Sequence, residues 1–370
     1  MSARMHRRSA AIALTVAITA GAAALLSACG PNATGSNNAA PAGNTVVTTT
    51  PSATATPTAA PTASVAPSTA PSTTPGSAAP VTATPRPASL HSAPAAAPGR
   101  NGTAKNGLTI SNGTRYVLMN GTSVDFGTAV KDLAWSPNGA KAAFIDGAGD
   151  LVTANPDGSG RVVVAKNSGG QTWSHPTWQV APADSHYLIP AKNNLVFSVG
   201  RGGAARLEKV PADSVDAQPT VLTLGGYAGD NVAPLPETGN GWASGGGKIA
   251  RIVYANSTDG NVYIRDEYLR QNGGVLTPGS EPALSPSGSE VVFVRSVGGH
   301  DHLFAEQLDN GPVPAKDLTP HATTDYTEPA WSPDGTTLAV RTPDGIATLP
   351  ANGSAAPTLV STFPGLPSYR

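Results

Sequence analysis

Cysteine is nearly missing from this chain of 370 residues: Cys29 is the single copy, which excludes an internal disulfide and a cysteine-based zinc site. Acidic residues are missing from the first third. No Asp or Glu precedes Asp125 and no Phe, Trp or Tyr precedes Tyr116, so all 24 acids fall in the remainder. Charged residues amount to 13%, roughly half the usual share, and a formal net charge of -1 leaves neither a basic face nor an acidic tail. Lys and Arg cluster nowhere outside the extreme N-terminus, which argues against a nucleic-acid partner. No window carries a sustained 3.6-residue apolar period with caps, so helix should be scarce. A Gly-x-Ser-x-Gly elbow is also absent. The runs Gly200-Arg201-Gly202-Gly203 and Gly245-Gly246-Gly247 precede no helix, which argues against phosphate binding. What the chain has in plenty is Gly (41) and Pro (35). That is the composition of a turn-rich β domain preceded by an unfolded segment.

The N-terminus reads as an address. Arg4, His6, Arg7 and Arg8 precede an apolar run from Ala10 to Leu26, closed by Leu26-Ser27-Ala28-Cys29. This is the layout of an export signal. The run has roughly 17 residues, short of the ~20 that a spanning helix needs, and is rich in Ala, Gly and Thr. The closing four residues resemble the lipobox of bacterial lipoproteins. The resemblance implies that residues 1–28 are removed, that Cys29 is lipidated, and that the protein is held to the cell membrane outside the cytoplasm. An uncleaved helix or simple secretion are the alternatives, and the export route stays open because Arg7-Arg8 matches a twin-arginine motif poorly. Residues 29–105 are almost wholly Ala, Pro, Thr, Ser, Gly and Asn. Such a segment cannot bury enough apolar surface to order itself, so a disordered linker is expected, stiffened by proline and open to O-glycosylation.

From residue 106 to 370 one unit recurs. Trp331-Ser332-Pro333-Asp334-Gly335 leads into Leu338-Ala339-Val340; Trp135-Ser136-Pro137-Asn138-Gly139 and Leu284-Ser285-Pro286-Ser287-Gly288 repeat it. Ser at the first turn position, Pro fixing the second and Gly at the fourth satisfy a type I turn. Trp178 and Trp242 head looser copies, giving anchors about 43, 64, 42 and 47 residues apart, close to the roughly 40–50 of a propeller blade. The long interval implies an insertion between Gly200 and Pro236. The units resemble the TolB-type, WD-like β-propeller repeat, an aromatic followed by Ser-Pro-Asp-Gly and an aliphatic strand. An all-β propeller is therefore expected. The Trp331 unit supplies four strands and ends by Phe363, so strands over 108–111, 116–120 and 122–126 must form a blade of their own. That makes six blades, the number the resemblance also implies, with five the alternative.

Chemistry is less legible. His300-Asp301-His302 could contribute to a metal site with His321 or Glu306, since residues two apart share a strand face; a plain hairpin turn is the alternative. His175 and His186 read as packed or solvated turn residues. Trp173, Trp178 and Tyr187 could form an aromatic ligand patch, although anchor tryptophans pack between blades. No cofactor, metal or assembly beyond a monomer is expected. The function expected is a non-enzymatic, membrane-anchored binding module for an envelope protein, peptide or glycan. A glycan lyase or hydrolase at the channel mouth is the alternative, drawing on Asp132, Asp230, Glu281 and Glu328, each placed just before an inner strand. A third possibility is a sensory or accessory subunit of a signalling or transport system.

Overall fold

The computed structural model describes residues 99–370 except 187–189, 226–233, 268–272 and 310–312. The export signal, Cys29, nearly all of the linker, Tyr187 and Asp230 lie outside the described residues. Among those described there is no helix, and twenty-four strands form six four-stranded antiparallel sheets. Blade 1 takes β1 (Leu108–Ser111), β2 (Tyr116–Met119) and β3 (Thr122–Asp125). Blade 2 runs β4 (Lys131–Trp135), β5 (Ala142–Ile145), β6 (Leu151–Ala154), β7 (Val162–Ala165). Blade 3 runs β8 (Thr172–Ala181), β9 (Lys192–Arg201), β10 (Ala204–Pro211), β11 (Thr220–Val221). Blade 4 runs β12 (Asn240–Gly246), β13 (Arg251–Asn256), β14 (Asn261–Arg265), β15 (Gly273–Pro278). Blade 5 runs β16 (Ser280–Leu284), β17 (Glu290–Val297), β18 (His300–Gln307), β19 (Lys316–Asp317). Blade 6 runs β20 (Thr327–Trp331), β21 (Thr337–Thr342), β22 (Gly345–Pro350), β23 (Thr358–Ser361).

The fold does not end by Phe363: β24 (Leu366–Tyr369) pairs with β1, matching Leu108 to Tyr369 and Ser111 to Leu366. Blade 1 is thus closed by a strand from the far end of the chain. Residues 100–105, assigned to the linker by composition, also belong to the fold. The Arg100 carbonyl accepts from the Thr362 amide (3.0 Å) and the Ser361 hydroxyl, and Thr103 is fully buried.

The continuous apolar runs follow from this arrangement. Each second strand lies between two blades and buries both faces, and because side chains alternate, its odd and even residues enter different cores. Phe144 packs with blade 1 residues Val117 and Met119, while Ala143 and Ile145 pack with Trp173 and Leu195 of blade 3. Val291 and Phe293 join Val253 and Val262 of blade 4, while Val292 and Val294 join Leu338 and Val340 of blade 6. Six such cores fill the six interfaces, blade 6 meeting blade 1 through Ala339, Ile346, Leu108 and Ile110.

The repeated turn is wired alike in its three copies. The amides of Gly139, Gly288 and Gly335 donate to the carbonyls of Ser136, Ser285 and Ser332 at 2.7–2.9 Å. The serine hydroxyls accept from Lys141, Glu290 and Thr337 amides, and those of Ser136 and Ser332 donate to Asn138 and Asp334. Anchor indoles tie neighbouring blades: Trp135 Nε1 donates to Thr109 Oγ1, Trp178 to the Ala134 carbonyl and Trp331 to the Ala283 carbonyl.

Trp242 is not such an anchor. The register sets Gly245 opposite Ile252, just as Leu284 faces Val291 and Trp331 faces Leu338. Glycine therefore occupies the anchor position of blade 4. A Cβ on Gly245 would lie 2.5 Å from the Trp178 carbonyl oxygen, and one on Gly247 only 2.8 Å from Gly288 Cα. The run Gly245-Gly246-Gly247 is where blade 4 is squeezed between its neighbours.

Candidate functional site

The innermost strand of every blade from 2 to 6 breaks register at the same place. β4 skips between Lys131 and Ala134, β8 between Ser174 and Thr177, β12 between Gly241 and Ser244, β16 between Ser280 and Ala283, β20 between Thr327 and Ala330. At each bulge one non-glycine residue holds a left-handed backbone: Asp132, His175, Trp242, Glu281 and Glu328, with φ of 48–55°. Such conformations cost about 1–2 kcal/mol each and concentrate at functional sites. A bulge also re-aims the side chain it carries. Here the five belong to one structural column.

Their side chains meet. Asp132 Oδ2 accepts from the His175 amide (3.0 Å) and lies 3.9 Å from His175 Nδ1. His175 Nε2 lies 3.8 Å from Glu328 Oε2, which also receives the Trp242 indole N–H at 3.4 Å. The Glu328 amide donates to Glu281 Oε2 (2.7 Å), and the His175 ring lies over Trp242 with centroids 4.4 Å apart. Blades 2, 3, 4 and 6 thus meet at one histidine, and blade 5 joins them through the Glu328 amide. Burial lowers the proton affinity of His175, but attraction by Glu328, Asp132 and Glu281 outweighs it and sets its pKa above the ordinary value. Burial also raises the Glu281 carboxyl; the Glu328 amide offsets this only partly, and the Glu328 charge reinforces it.

Two chambers flank the cluster. A narrow one of about 370 Å³ is lined by all six inner strands, including Trp135, Trp178, Trp242, Trp331 and a series of prolines. A wide one of about 730 Å³ is lined by Ser111, Lys131, Gln171, Arg341 and other polar groups. Asp132, His175 and Glu328 border both, so they form the partition between them.

Of the four carboxylates expected before the inner strands, Asp132, Glu281 and Glu328 lie within those strands at the bulges and come together. Asp230 lies outside the described residues. His175, read as a turn residue, stands instead at the centre of the site. His186 is exposed on its turn. The aromatic patch does not form at the surface: Trp173 and Trp178 are buried in the blade 2–3 core, with Trp173 against Phe197 at 4.9 Å. His300 and His302 stand at the start of β18, outside the column of bulge residues. His302 Nδ1 pairs with Asp317 (2.9 Å), His300 Nδ1 with Asp325 (3.2 Å), and Asp301 receives the Ser296 hydroxyl. Among the described residues no group of three His, Cys, Asp or Glu side chains is arranged to hold a metal ion.

No protein-family description matches the sequence, and no curated protein matches it. Solved structures similar in fold include a TolB from Agrobacterium tumefaciens at 15% identity, covering 69% of this chain and 87% of that one with a TM-score of 0.48. TolB from Acinetobacter baumannii is 14% identical over 71% of this chain, which spans 65% of that structure's length, with a TM-score of 0.48. An oligogalacturonate lyase in complex with manganese is 13% identical, covering 65% of this chain and 68% of its own, with a TM-score of 0.40. At these identities the likeness concerns the fold alone, an all-β propeller of six blades.

Proposed function

We propose that the chain is an extracytoplasmic lipoprotein, anchored to the bacterial cell membrane through Cys29, whose propeller binds an envelope protein, peptide or glycan without acting on it. The binding reading is carried by the mouth of the narrow chamber. Pro137, Pro286 and Pro333 stand exposed on the repeat turns around it. The anchor indoles behind them already have their N–H groups bonded to neighbouring blades. Rigid apolar rings around a preformed concavity suit a partner that is held rather than transformed. Anchoring rests on the lipobox resemblance, and mass spectrometry of the mature N-terminus tests it: a diacylglyceryl-modified Cys29 is expected, an intact Met1 or a free thiol overturns it. For binding, the propeller and a Pro137→Asp, Pro286→Asp, Pro333→Asp variant are cross-linked in cell envelopes. A partner or glycan retained by the first and lost by the folded variant is expected; equal capture by both removes this face from consideration.

A second reading, a glycan lyase or hydrolase, is favoured by the convergence of Asp132, Glu281 and Glu328 on His175. The His175 nitrogens lie beyond hydrogen-bond reach of the carboxylates, so proton transfer would need a ligand to draw the groups together. Incubation with acidic and neutral polysaccharides, followed for new reducing ends or unsaturated products, decides it.

A further inference from the structure

The wide chamber carries groups that the binding reading leaves unused. Its floor is the partition, where one imidazole faces the carboxylates of Asp132 and Glu328. Even when protonated, one imidazole offsets only one of those two carboxylates, and the Glu328 amide is held by Glu281 Oε2. Its wall holds Lys131 and Arg341, both exposed and neither engaged in a side-chain hydrogen bond or ion pair among the described residues. Ser111 also borders it, 2% exposed, with a hydroxyl that has no hydrogen-bond partner. A buried hydroxyl without a partner is uncommon, because its desolvation is uncompensated. Acidic floor and basic wall share one cavity of about 730 Å³, the size range of small-molecule sites, and the Ser111 hydroxyl is buried beneath its surface.

We propose that the wide chamber is a binding site for a small zwitterion, an amino-acid-like molecule whose ammonium group meets Asp132 and Glu328 and whose carboxylate meets Lys131 and Arg341. Charge-assisted hydrogen bonds at both ends make such a ligand better than either half alone. The site lies on the other side of the partition from the proline-rimmed mouth, so its failure and the failure of partner binding there are separate results.

The experiment is calorimetric titration of the propeller with ω-amino acids of increasing chain length, alongside the matching alkylamines and alkanoates. Binding by the amino acids that peaks at one chain length and exceeds amine and alkanoate by about tenfold or more is expected. Glu328→Gln, or Asp132→Asn if that variant fails to fold, abolishes it. Lys131→Ala with Arg341→Ala, both at exposed positions, brings the amino acid down to the affinity of the amine. Equal affinity for amino acid and amine in the unmodified protein overturns the proposal, as does the absence of saturable binding by every probe at about 1 mM, the weak end of the affinity scale.

Discussion

Gly335 and Gly247 both hold a left-handed backbone, at φ of 71° and 74°, yet their surroundings differ. Around Gly335 a Cβ would meet nothing within 4 Å, whereas at Gly247 it would press on the backbone of Gly288 at 2.8 Å. Gly335→Val should therefore cost only the strain of its turn, about 1–2 kcal/mol, and leave ligand affinity per folded molecule unchanged. Gly247→Ala should cost more, since two backbones must separate; urea unfolding of the two variants compares them. A second prediction concerns His175. Its folded pKa is raised, so its stabilisation is complete below the unfolded value of about 6.5 and fades as pH climbs through the folded one. Glu281, also raised, acts in the same sense from lower pH. The melting temperature should fall across that alkaline approach, and a His175→Gln variant should show a flatter profile; an unchanged profile counts against the cluster as drawn. Asp132, Glu281 and Glu328 were legible because each stands three residues before an anchor of the repeat. His175 stands in the same column before Trp178, and aligning columns rather than motifs finds it. Trp242 could not be placed that way. Its blade has glycine where the others carry an anchor, so the nearest tryptophan captures the alignment.

Among the elements, the turns and second strands were readable because local chemistry specifies them. Ser, Pro and Gly fix the repeated turn, and β-branched or aromatic runs such as Val291 to Val294 have no polar face to expose. The strand β24 was not readable. Leu366-Pro367-Ser368-Tyr369 is short, contains proline and shows no alternation, and its partner Thr109 is 259 residues from Ser368. The bulges were equally invisible, because a register shift leaves no mark on a motif. Blade 4 yields a third prediction: Gly245→Trp, which would restore the repeat consensus, should destabilise the fold strongly, since its Cβ alone would lie 2.5 Å from the Trp178 carbonyl oxygen. Soluble expression and thermal melting test this, and a stabilised variant would contradict the register. By contrast, Trp331→Phe keeps most of the packing but leaves the Ala283 carbonyl without its indole donor. The expected cost is about 1–2 kcal/mol, read from the denaturation midpoint.

At the scale of the whole molecule, six cores between six blades make a ring in which each blade is held from two sides. Removing residues 366–370 would leave the inner edge of β1 unpaired and the Arg370 contacts to Gly107 and Gly139 unmade. An exposed edge of this kind invites pairing with other chains, so the truncated propeller should melt lower and aggregate, measured by light scattering during heating. The same closure fixes an order of events. While the chain is being made, five blades can collect all their strands, but blade 1 waits until Leu366 to Tyr369 have followed. Until then the ring stays open, and its interfaces at blades 1 and 6 have nothing to lock them. Because the Arg370 amide bonds to the Gly107 carbonyl, the two ends of the ring already touch. Joining them and cutting at the Gly298-Gly299 hairpin would let blade 1 form early and move the delay to blade 5.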